Sequence, residues 1–342
     1  MSVGETGVSL LTEKRSGKMS EFSFHIGKED EMTEKNYDVV ILGAGPAGLT
    51  AAIYTSRGRL KTLVVEKEAV GGEAASTDMI DNYPGFPEGI GGIDLAERME
   101  KQAKRFDATV IYGDVRDVDL KSNPKTMTVN GEKITAKAVI LATGTHPKEL
   151  GVPGEKELKG RGVSYCATCD APFFKDKDIA VIGGGNSGLQ ESLFLLKYVK
   201  SIKIIEFLPH LTAEQILQDR IAEYDNVEAL PHHRLVSING KDKVESITVE
   251  NRSTNEKFDI KVDGVFVYVG LEPNTDFVKG QVKLNNWGYI EVNQDRETNI
   301  PGVFAAGDVR DTRVRQVATA VGDGAHAAVM ANEFIDQLEH DM

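Results

Sequence analysis

One stretch of this chain repeats another that lies 140 positions earlier. Residues 39–66 read VVILGAGPAGLTAAIYTSRGRLKTLVVE, residues 179–206 read IAVIGGGNSGLQESLFLLKYVKSIKIIE, and the two align without a gap. Each copy has an apolar run, a glycine-rich turn, a helical stretch and a second apolar run that ends in glutamate. This order predicts a strand–turn–helix–strand unit in both places. We therefore expect an α/β protein with two Rossmann-like domains.

The glycines of both turns follow the G-x-G-x-x-G spacing of dinucleotide-binding folds. The first glycine of this spacing permits a tight turn, the second lets the backbone approach a pyrophosphate, and the third lets the helix pack close to the strand. These glycines are Gly43, Gly45 and Gly48 in the first copy, and Gly183, Gly185 and Gly188 in the second. A glutamate, Glu66 or Glu206, follows each first glycine by 23 residues, where a carboxylate can accept hydrogen bonds from a ribose. The pattern predicts two bound dinucleotides, one per domain.

Net charge and hydropathy narrow the class of protein. The chain has 40 basic and 53 acidic residues, and its net charge of −13 opposes binding to the phosphate backbone of nucleic acids. No apolar run reaches the roughly 18 residues of a membrane span. Residues 1–35 are polar and lack the apolar core of a secretory signal, so we interpret them as a loosely ordered N-terminal extension. We expect a cytoplasmic protein that binds neither nucleic acid nor membrane.

Several motifs together give the chain a family resemblance. They are GAGPAGLTAA at 43–52, NYPGF at 82–86, ATG at 142–144, CATCD at 166–170, GGGNSG at 183–188, VGLEPNT at 269–275, AAGDV at 305–309 and RQVATAVGDG at 315–324. In this combination the chain resembles the low-molecular-weight thioredoxin reductases, which are flavoproteins with one FAD domain and one nicotinamide-nucleotide domain. The resemblance covers about residues 36–338.

The resemblance implies where FAD binds and how the domains divide the chain. The FAD domain is expected at 36–148 joined with 276–342, and the nicotinamide-nucleotide domain, inserted into it, at 149–275. The crossovers are expected in the segments 144–154 and 269–275, with hinges near Gly151 and Gly270. The residues implied at the FAD are Gly43, Gly45 and Gly48 at the pyrophosphate, Glu66 at the adenosine ribose, Asn82 near the isoalloxazine, Gly307 and Asp308 at the ribityl–phosphate region, and Gln316 beside the pyrimidine end.

The only two cysteines of the chain, Cys166 and Cys169, form a C-x-x-C pair. A structural zinc site needs four ligands, and no second C-x-x-C is present, so no metal site is expected. A structural disulfide is disfavoured because it would close a very short loop in a reducing compartment. A redox couple fits better, because a C-x-x-C at a helix start favours the thiolate. The resemblance implies that Cys169 contacts the flavin, that Cys166 attacks the partner's disulfide, and that Asp170 donates a proton.

The second copy departs from the family where NADPH-using members carry a basic cluster. Glu206, Phe207 and Leu208 stand where that cluster has His-Arg-Arg, and Thr212 takes the place of a further arginine. A 2′-phosphate would meet a carboxylate there, and two such charges about 4 Å apart repel by about 4 kcal/mol at an effective dielectric constant near 20. NADPH is therefore disfavoured. NADH, or a donor without nicotinamide such as ferredoxin, is expected instead. A smaller departure is Glu73, where the family commonly has glutamine.

The leading hypothesis is a homodimeric flavoenzyme that passes electrons from a donor through FAD and the Cys166–Cys169 pair to thioredoxin or a similar protein disulfide. The resemblance implies a rotation between the domains, since the nucleotide and the dithiol take turns at the flavin. Two alternatives stay open. One is a flavin-dependent oxidase of small dithiols that uses oxygen. The other is a flavin-bound redox sensor without enzymatic turnover.

Overall fold

The structure is a computed structural model, and it describes residues 34–340. Its six α-helices are α1 (Pro46–Arg57), α2 (Gly92–Lys104), α3 (Ala167–Asp170), α4 (Asn186–Leu195), α5 (Gln215–Ala222) and α6 (Val317–His340). Its strands are β1 (Glu34–Leu42), β2 (Thr62–Glu66), β3 (Thr109–Tyr112), β4 (Val115–Asp119), β5 (Lys125–Val129), β6 (Glu132–Leu141), β7 (Thr145–Pro147), β8 (Val163–Ser164), β9 (Asp178–Ile182), β10 (Ser201–Glu206), β11 (Val227–Pro231), β12 (His233–Asn239), β13 (Ser246–Asn251), β14 (Lys257–Lys261), β15 (Gly264–Val267), β16 (Leu271–Pro273) and β17 (Val303–Ala305).

The first sheet joins the two ends of the described chain. Its strand order is β3-β2-β1-β6-β5-β4, and β17 pairs with the carboxyl-terminal half of β6. The pairs β1–β2, β2–β3, β1–β6 and β6–β17 are parallel, whereas the pairs β4–β5 and β5–β6 are antiparallel. Strand β17 lies at residues 303–305, so this sheet combines strands from residues 34–141 with one strand from the carboxyl-terminal part of the chain.

Alternating residues of the central strands fill two cores, one on each face of this sheet. On one face Val39, Ile41 and Val64 pack in a cluster with residues of α1, α2 and α6. On the opposite face Val40 and Leu42 pack in a cluster that includes Val278, Val303 and Val309. Strands buried on both faces are typical of parallel sheets, and they account for the continuous apolar runs in the sequence.

The second sheet lies between residues 163 and 267. Its order is β11-β10-β9-β15-β8 and all its pairs are parallel. One core lies between this sheet and α4, α5 and the α3 region, and another lies between it and the antiparallel sheet β12-β13-β14. The predicted fold class, an α/β protein with two Rossmann-like domains, is confirmed.

The two connections between the sheets pair with each other. Strand β7 and strand β16 form an antiparallel ribbon in which Glu272 faces His146. Both strands lie inside the segments that the sequence proposes as crossovers, and the exact domain boundaries stay a prediction. Strand β1 begins at Glu34, so residues 34 and 35 of the expected extension are part of a strand, and residues 1–33 lie outside the described range. Within residues 34–340 no helix is long and apolar enough to cross a membrane.

Candidate functional site

The first glycine turn connects β1 to α1 and contains glycines of two kinds. Gly43 has φ +103°, and a Cβ on it would lie 2.3 Å from the carbonyl oxygen of Ala142. A Cβ on Gly48 would lie 1.9 Å from the carbonyl oxygen of Gly43. Packing alone therefore excludes a side chain at both positions. Gly45 differs, because its φ is −72° and its Cβ would find no atom closer than 4.0 Å. The space in front of Gly45 is what a pyrophosphate that approaches the backbone requires.

The second glycine turn, between β9 and α4, has the same division. Gly183 has φ +113°, and its Cβ would lie 2.1 Å from the carbonyl oxygen of Tyr268. A Cβ on Gly188 would lie 2.0 Å from the carbonyl oxygen of Gly183. Gly185 has φ −86°, and the nearest atom to its Cβ would be Thr212 Oγ1 at 3.6 Å. In each turn the middle glycine, Gly45 or Gly185, has room for a side chain within the protein itself.

The two glutamates make equivalent hydrogen bonds. Glu66 accepts the backbone N–H of Ala44 on Oε2 at 2.7 Å, and that of Glu68 on Oε1 at 2.9 Å. Glu206, 140 positions later, accepts from Gly184 at 2.5 Å and from Leu208 at 2.7 Å. These bonds hold each carboxylate beside its glycine turn, and each oxygen keeps a lone pair for a ligand hydroxyl.

The turn at Gly307 lies against the first turn of α1. Gly307 has φ +76°, and a Cβ on it would lie 2.9 Å from that of Ala47. Asp323 of α6, which is 4 % exposed, accepts hydrogen bonds from the N–H of Gly307 and from the guanidinium groups of Arg296 and Arg310. This buried ion-pair network fixes the turn. Asp308, the next residue after Gly307, thereby lies at the edge of the sheet where the first glycine turn lies.

The ionisation of Asp308 should make the stability of the protein depend on pH. Burial raises the pKa of its carboxyl to about 6, and Arg315 partly offsets this effect. The folded state holds the proton more tightly than the unfolded chain, so ionisation of Asp308 destabilises the folded state. This destabilisation is absent below about pH 4 and complete above about pH 6. Asp308→Asn should raise the free energy of unfolding of the flavin-free protein by about 2 kcal/mol at pH 7.5, and by much less near pH 4. Urea unfolding at both pH values measures this, and an equal effect at both would contradict it.

Asn82 and Gln316, predicted to lie along the flavin, are brought together from opposite ends of the chain. The amide of Asn82 donates to Gln316 Oε1 at 2.9 Å. Both side chains line a cleft of about 450 Å³, and its other wall is formed by the start of α4, with Asn186, Gln190 and Glu191. The helix that follows the second glycine turn therefore faces the residues proposed for the flavin.

Polar contacts hold the second domain in this arrangement. The amide of Gln190 donates to the carbonyl of Met79 at 2.9 Å. Lys197 lies 2.7 Å from Asp78, and Arg220 3.2 Å from Asp81. These ion pairs are exposed, and such pairs typically contribute less than about 1 kcal/mol each. The contact is of a kind that a domain rotation can break.

The two cysteines form a disulfide at the start of α3. Cys166 is the N-cap residue, and its sulfur accepts the N–H of Cys169 at 3.3 Å. Cys166 and Asp170 line a second pocket of about 330 Å³ together with Glu73. Between the two cysteines, Thr168 Oγ1 donates to the carbonyl oxygen of Ser76 in the first domain at 2.6 Å. The expected contact between Cys169 and the flavin stays a prediction.

The residue before the dithiol ties it to the first crossover. Tyr165 donates its hydroxyl hydrogen to Glu155 at 2.7 Å, and burial, with this bond, raises the pKa of the phenol. Glu155 is fully buried and also accepts the N–H groups of Leu150 and Gly151. The predicted hinge glycine is therefore bonded to the same carboxylate as the dithiol segment. Sequence spacing gives no signal for this link.

Sequence reasoning also missed Glu191, a residue of α4 in the wall of the cleft. Burial raises its pKa to about 7, with added repulsion from Asp78 and Glu73. Its Oε2 atom is buried and has no hydrogen-bond partner in residues 34–340. Glu73 itself has a raised pKa, chiefly because neighbouring atoms remove water from its carboxylate. The described residues contain no group of three or more His, Cys, Asp or Glu side chains able to hold a metal ion.

Comparison with known proteins agrees with this geometry. The sequence profile of the family described as pyridine nucleotide-disulphide oxidoreductase matches residues 37–324. The chain therefore belongs to the pyridine nucleotide-disulphide oxidoreductases.

Several of its relatives within that class are named thioredoxin reductase. The thioredoxin reductase of Bacillus subtilis is 42 % identical over 310 residues, which cover 90 % of this chain and 98 % of that protein. The 34.2 kDa protein in the rubredoxin operon of Clostridium pasteurianum is 43 % identical over 303 residues, 88 % of this chain and 98 % of that protein. The crystal structure of Lactococcus lactis thioredoxin reductase in its FR conformation matches with a TM-score of 0.86 and 39 % identity, and covers 88 % of this chain and 99 % of that one.

The predicted resemblance to the low-molecular-weight thioredoxin reductases is thus confirmed, and the protein is a FAD-dependent disulfide oxidoreductase of the thioredoxin reductase type. The first site fits FAD, since Gly45 leaves room for a pyrophosphate and Glu66 holds a carboxylate beside it. Which nicotinamide nucleotide the second site takes is not decided by the family.

Proposed function

We propose that this enzyme reduces thioredoxin, or a protein with a similar exposed disulfide, and that NADH is the preferred electron donor. FAD, when bound, supplies the two-electron carrier between the donor and the Cys166–Cys169 disulfide. Gly43, Gly45 and Gly48 would hold its pyrophosphate and Glu66 its adenosine ribose. The other residues proposed for the FAD site are Asn82, Gly307, Asp308 and Gln316.

The chemistry at the dithiol needs two electrons and two protons. Reduction takes up two electrons and one of the protons, breaks the Cys166–Cys169 bond and leaves one thiolate and one thiol, with Asp170 able to donate that proton. The Cys166 thiolate attacks the partner's disulfide, forms a mixed disulfide and expels a partner thiolate. Cys169 then gives up its proton and attacks Cys166, which restores the enzyme disulfide and expels the second partner thiolate. The two partner thiolates take up this proton and the second of the two protons, and the partner leaves as a dithiol. Cys166 suits the attacking role because a sulfur that accepts a backbone N–H is stabilised as the thiolate.

The observation that favours NADH is the repeated hydrogen bonding of the two glutamates. In FAD the adenosine ribose has a free 2′-hydroxyl, and we propose that Glu66 accepts a hydrogen bond from it. Glu206 is fixed in the same way in the second copy, so the second site suits a ribose of the same chemistry. Glu206 is 6 % exposed, and two backbone amides hold its carboxylate where a 2′-phosphate would be repelled.

An anaerobic titration of the purified yellow protein tests the donor. Stoichiometric NADH should bleach the flavin rapidly, whereas NADPH should require a concentration about a thousandfold higher for the same rate. Rapid bleaching by stoichiometric NADPH would overturn the proposed role of Glu206. Reduction by reduced ferredoxin alone would overturn the choice of NADH and leave the dithiol chemistry intact. Oxygen consumption driven by small dithiols, without partner reduction, would favour the oxidase alternative.

A further inference from the structure

An aromatic ring with a guanidinium against it lies where β10 ends. Phe207 exposes 51 % of its surface, and the Cζ atom of Arg252 lies 3.6 Å from the centre of its ring. The same guanidinium donates through Nη1 to the carbonyl oxygen of Phe207 at 2.9 Å. Two contacts to one residue fix the guanidinium over the ring, as arginine commonly does on aromatic faces.

Arg252 arrives from the hairpin between β13 and β14, 45 positions away along the chain. Its backbone N–H donates to the carbonyl of His232 at 2.9 Å, and the N–H of His232 donates to the carbonyl of Leu208 at 2.7 Å. Ser253 Oγ lies 2.8 Å from His232 Nδ1. These bonds tie the hairpin tip to the end of β10, so Arg252 is a fixed part of this surface.

The position of the pair relative to Glu206 indicates what it would contact. Phe207 directly follows Glu206, and both lie at the carboxyl edge of the second sheet, beside the glycine turn that ends β9. Ligands of open α/β sheets bind at this edge. If Glu206 accepts hydrogen bonds from the ribose, the base attached to that ribose lies within reach of the neighbouring side chain. A half-exposed aromatic ring there is a stacking surface for a nucleobase, because every base offers a π face.

We propose that Phe207, held in place by Arg252, is the adenine-stacking surface of the second dinucleotide site. This inference rests on the proposed function, in which that site takes NADH. Stacking on Phe207 contributes binding free energy at the adenine. The ring makes no hydrogen bond or ion pair with a 2′-phosphate. Arg252 donates one N–H to the carbonyl of Phe207, and its guanidinium lies over the ring. The pair therefore binds the adenine, and the preference for a free 2′-hydroxyl comes from Glu206.

Calorimetric titration of the flavin-loaded enzyme with NAD⁺ tests the proposal. Phe207→Ala should weaken NAD⁺ binding about tenfold, as the loss of one base–aromatic stack does. Arg252→Met, which keeps an unbranched side chain without the charge, should weaken it about threefold. Tyr224→Ala is the matched control, because Tyr224 is an exposed aromatic residue that precedes β11, at the opposite edge of the same sheet. It should leave the affinity unchanged.

A second donor separates stacking from damage to the fold. Reduced nicotinamide mononucleotide carries the same hydride donor without adenine, so Phe207→Ala should leave the rate at which it bleaches the flavin unchanged. Wild-type affinity for NAD⁺ in Phe207→Ala, or an equal loss with the mononucleotide, would overturn the stacking role. A wild-type enzyme that neither binds NAD⁺ nor is bleached by NADH would instead overturn the proposed donor.

Discussion

Replacing Cys169 with serine should lower the rate of partner reduction by more than about a thousandfold, while NADH still bleaches the flavin at the wild-type rate. The disulfide is the only route by which an electron pair leaves the flavin for a protein partner in the proposed relay. Serine cannot form that disulfide, because an alcohol is not oxidised by this chemistry. Stopped-flow absorbance of the flavin and a turnover assay with thioredoxin measure the two halves of the reaction separately.

Cys166→Ser is the matched variant. We expect Cys166→Ser to lose turnover to the same extent. The two variants should differ in their reaction with the partner, because only Cys169→Ser retains the Cys166 thiolate that attacks the partner's disulfide. Mass spectrometry of Cys169→Ser mixed with oxidised thioredoxin should detect a covalent adduct that Cys166→Ser does not form. An adduct on Cys166→Ser alone would reverse the two roles, and turnover that survives either substitution would refute the relay.

The resemblance to the thioredoxin reductases implies that the second domain rotates between two arrangements during the catalytic cycle. In the arrangement described here the start of α4 faces Asn82 and Gln316, which suits transfer from a nucleotide to the flavin. The dithiol lies at the other pocket, where Cys166 and Asp170 share the lining with Glu73, and Thr168 Oγ1 donates to the carbonyl oxygen of Ser76 at 2.6 Å. The exposed ion pairs between Asp78 and Lys197 and between Asp81 and Arg220 are weak enough to permit such a rotation.

Features that repeat locally could be predicted from the sequence. The two glycine turns and their glutamates depend on short spacings, and the structure has them as strand–turn–helix–strand units. The fold class follows from the same units. The C-x-x-C pair also required no tertiary information, because both cysteines lie within one turn of α3.

Features that depend on distant contacts could not be predicted. Asp323 fixes the turn at Gly307 through Arg296 and Arg310, and nothing in their spacing marks them as partners. The sequence has no arginine or lysine between Glu206 and Arg220, yet the fold brings Arg252 to Phe207 from a hairpin. These side chains meet because sheets and hairpins pack together. No local pattern in a single sequence shows which distant residues come into contact in this way.

The glycines give the second large prediction, because packing separates those that serve the fold from those that serve a ligand. Gly45 and Gly185 have ordinary φ values and room for a methyl group, so alanine there should leave the flavin-free fold intact. Gly45→Ala should yield protein that is folded and loses its flavin about 10 to 100 times more readily, since a methyl group would displace the pyrophosphate. Gly185→Ala should keep its flavin and lose affinity for NADH by a similar factor.

Gly48→Ala and Gly188→Ala are the matched controls, because their Cβ atoms would lie 1.9 Å and 2.0 Å from backbone oxygens. These variants should unfold at lower urea concentration whether or not any ligand is present. Flavin content, NADH affinity and urea midpoints measured on all four variants should therefore divide them into two pairs. Unchanged NADH affinity in Gly185→Ala would mean that no dinucleotide approaches the second turn, and that the enzyme keeps this turn only to fold.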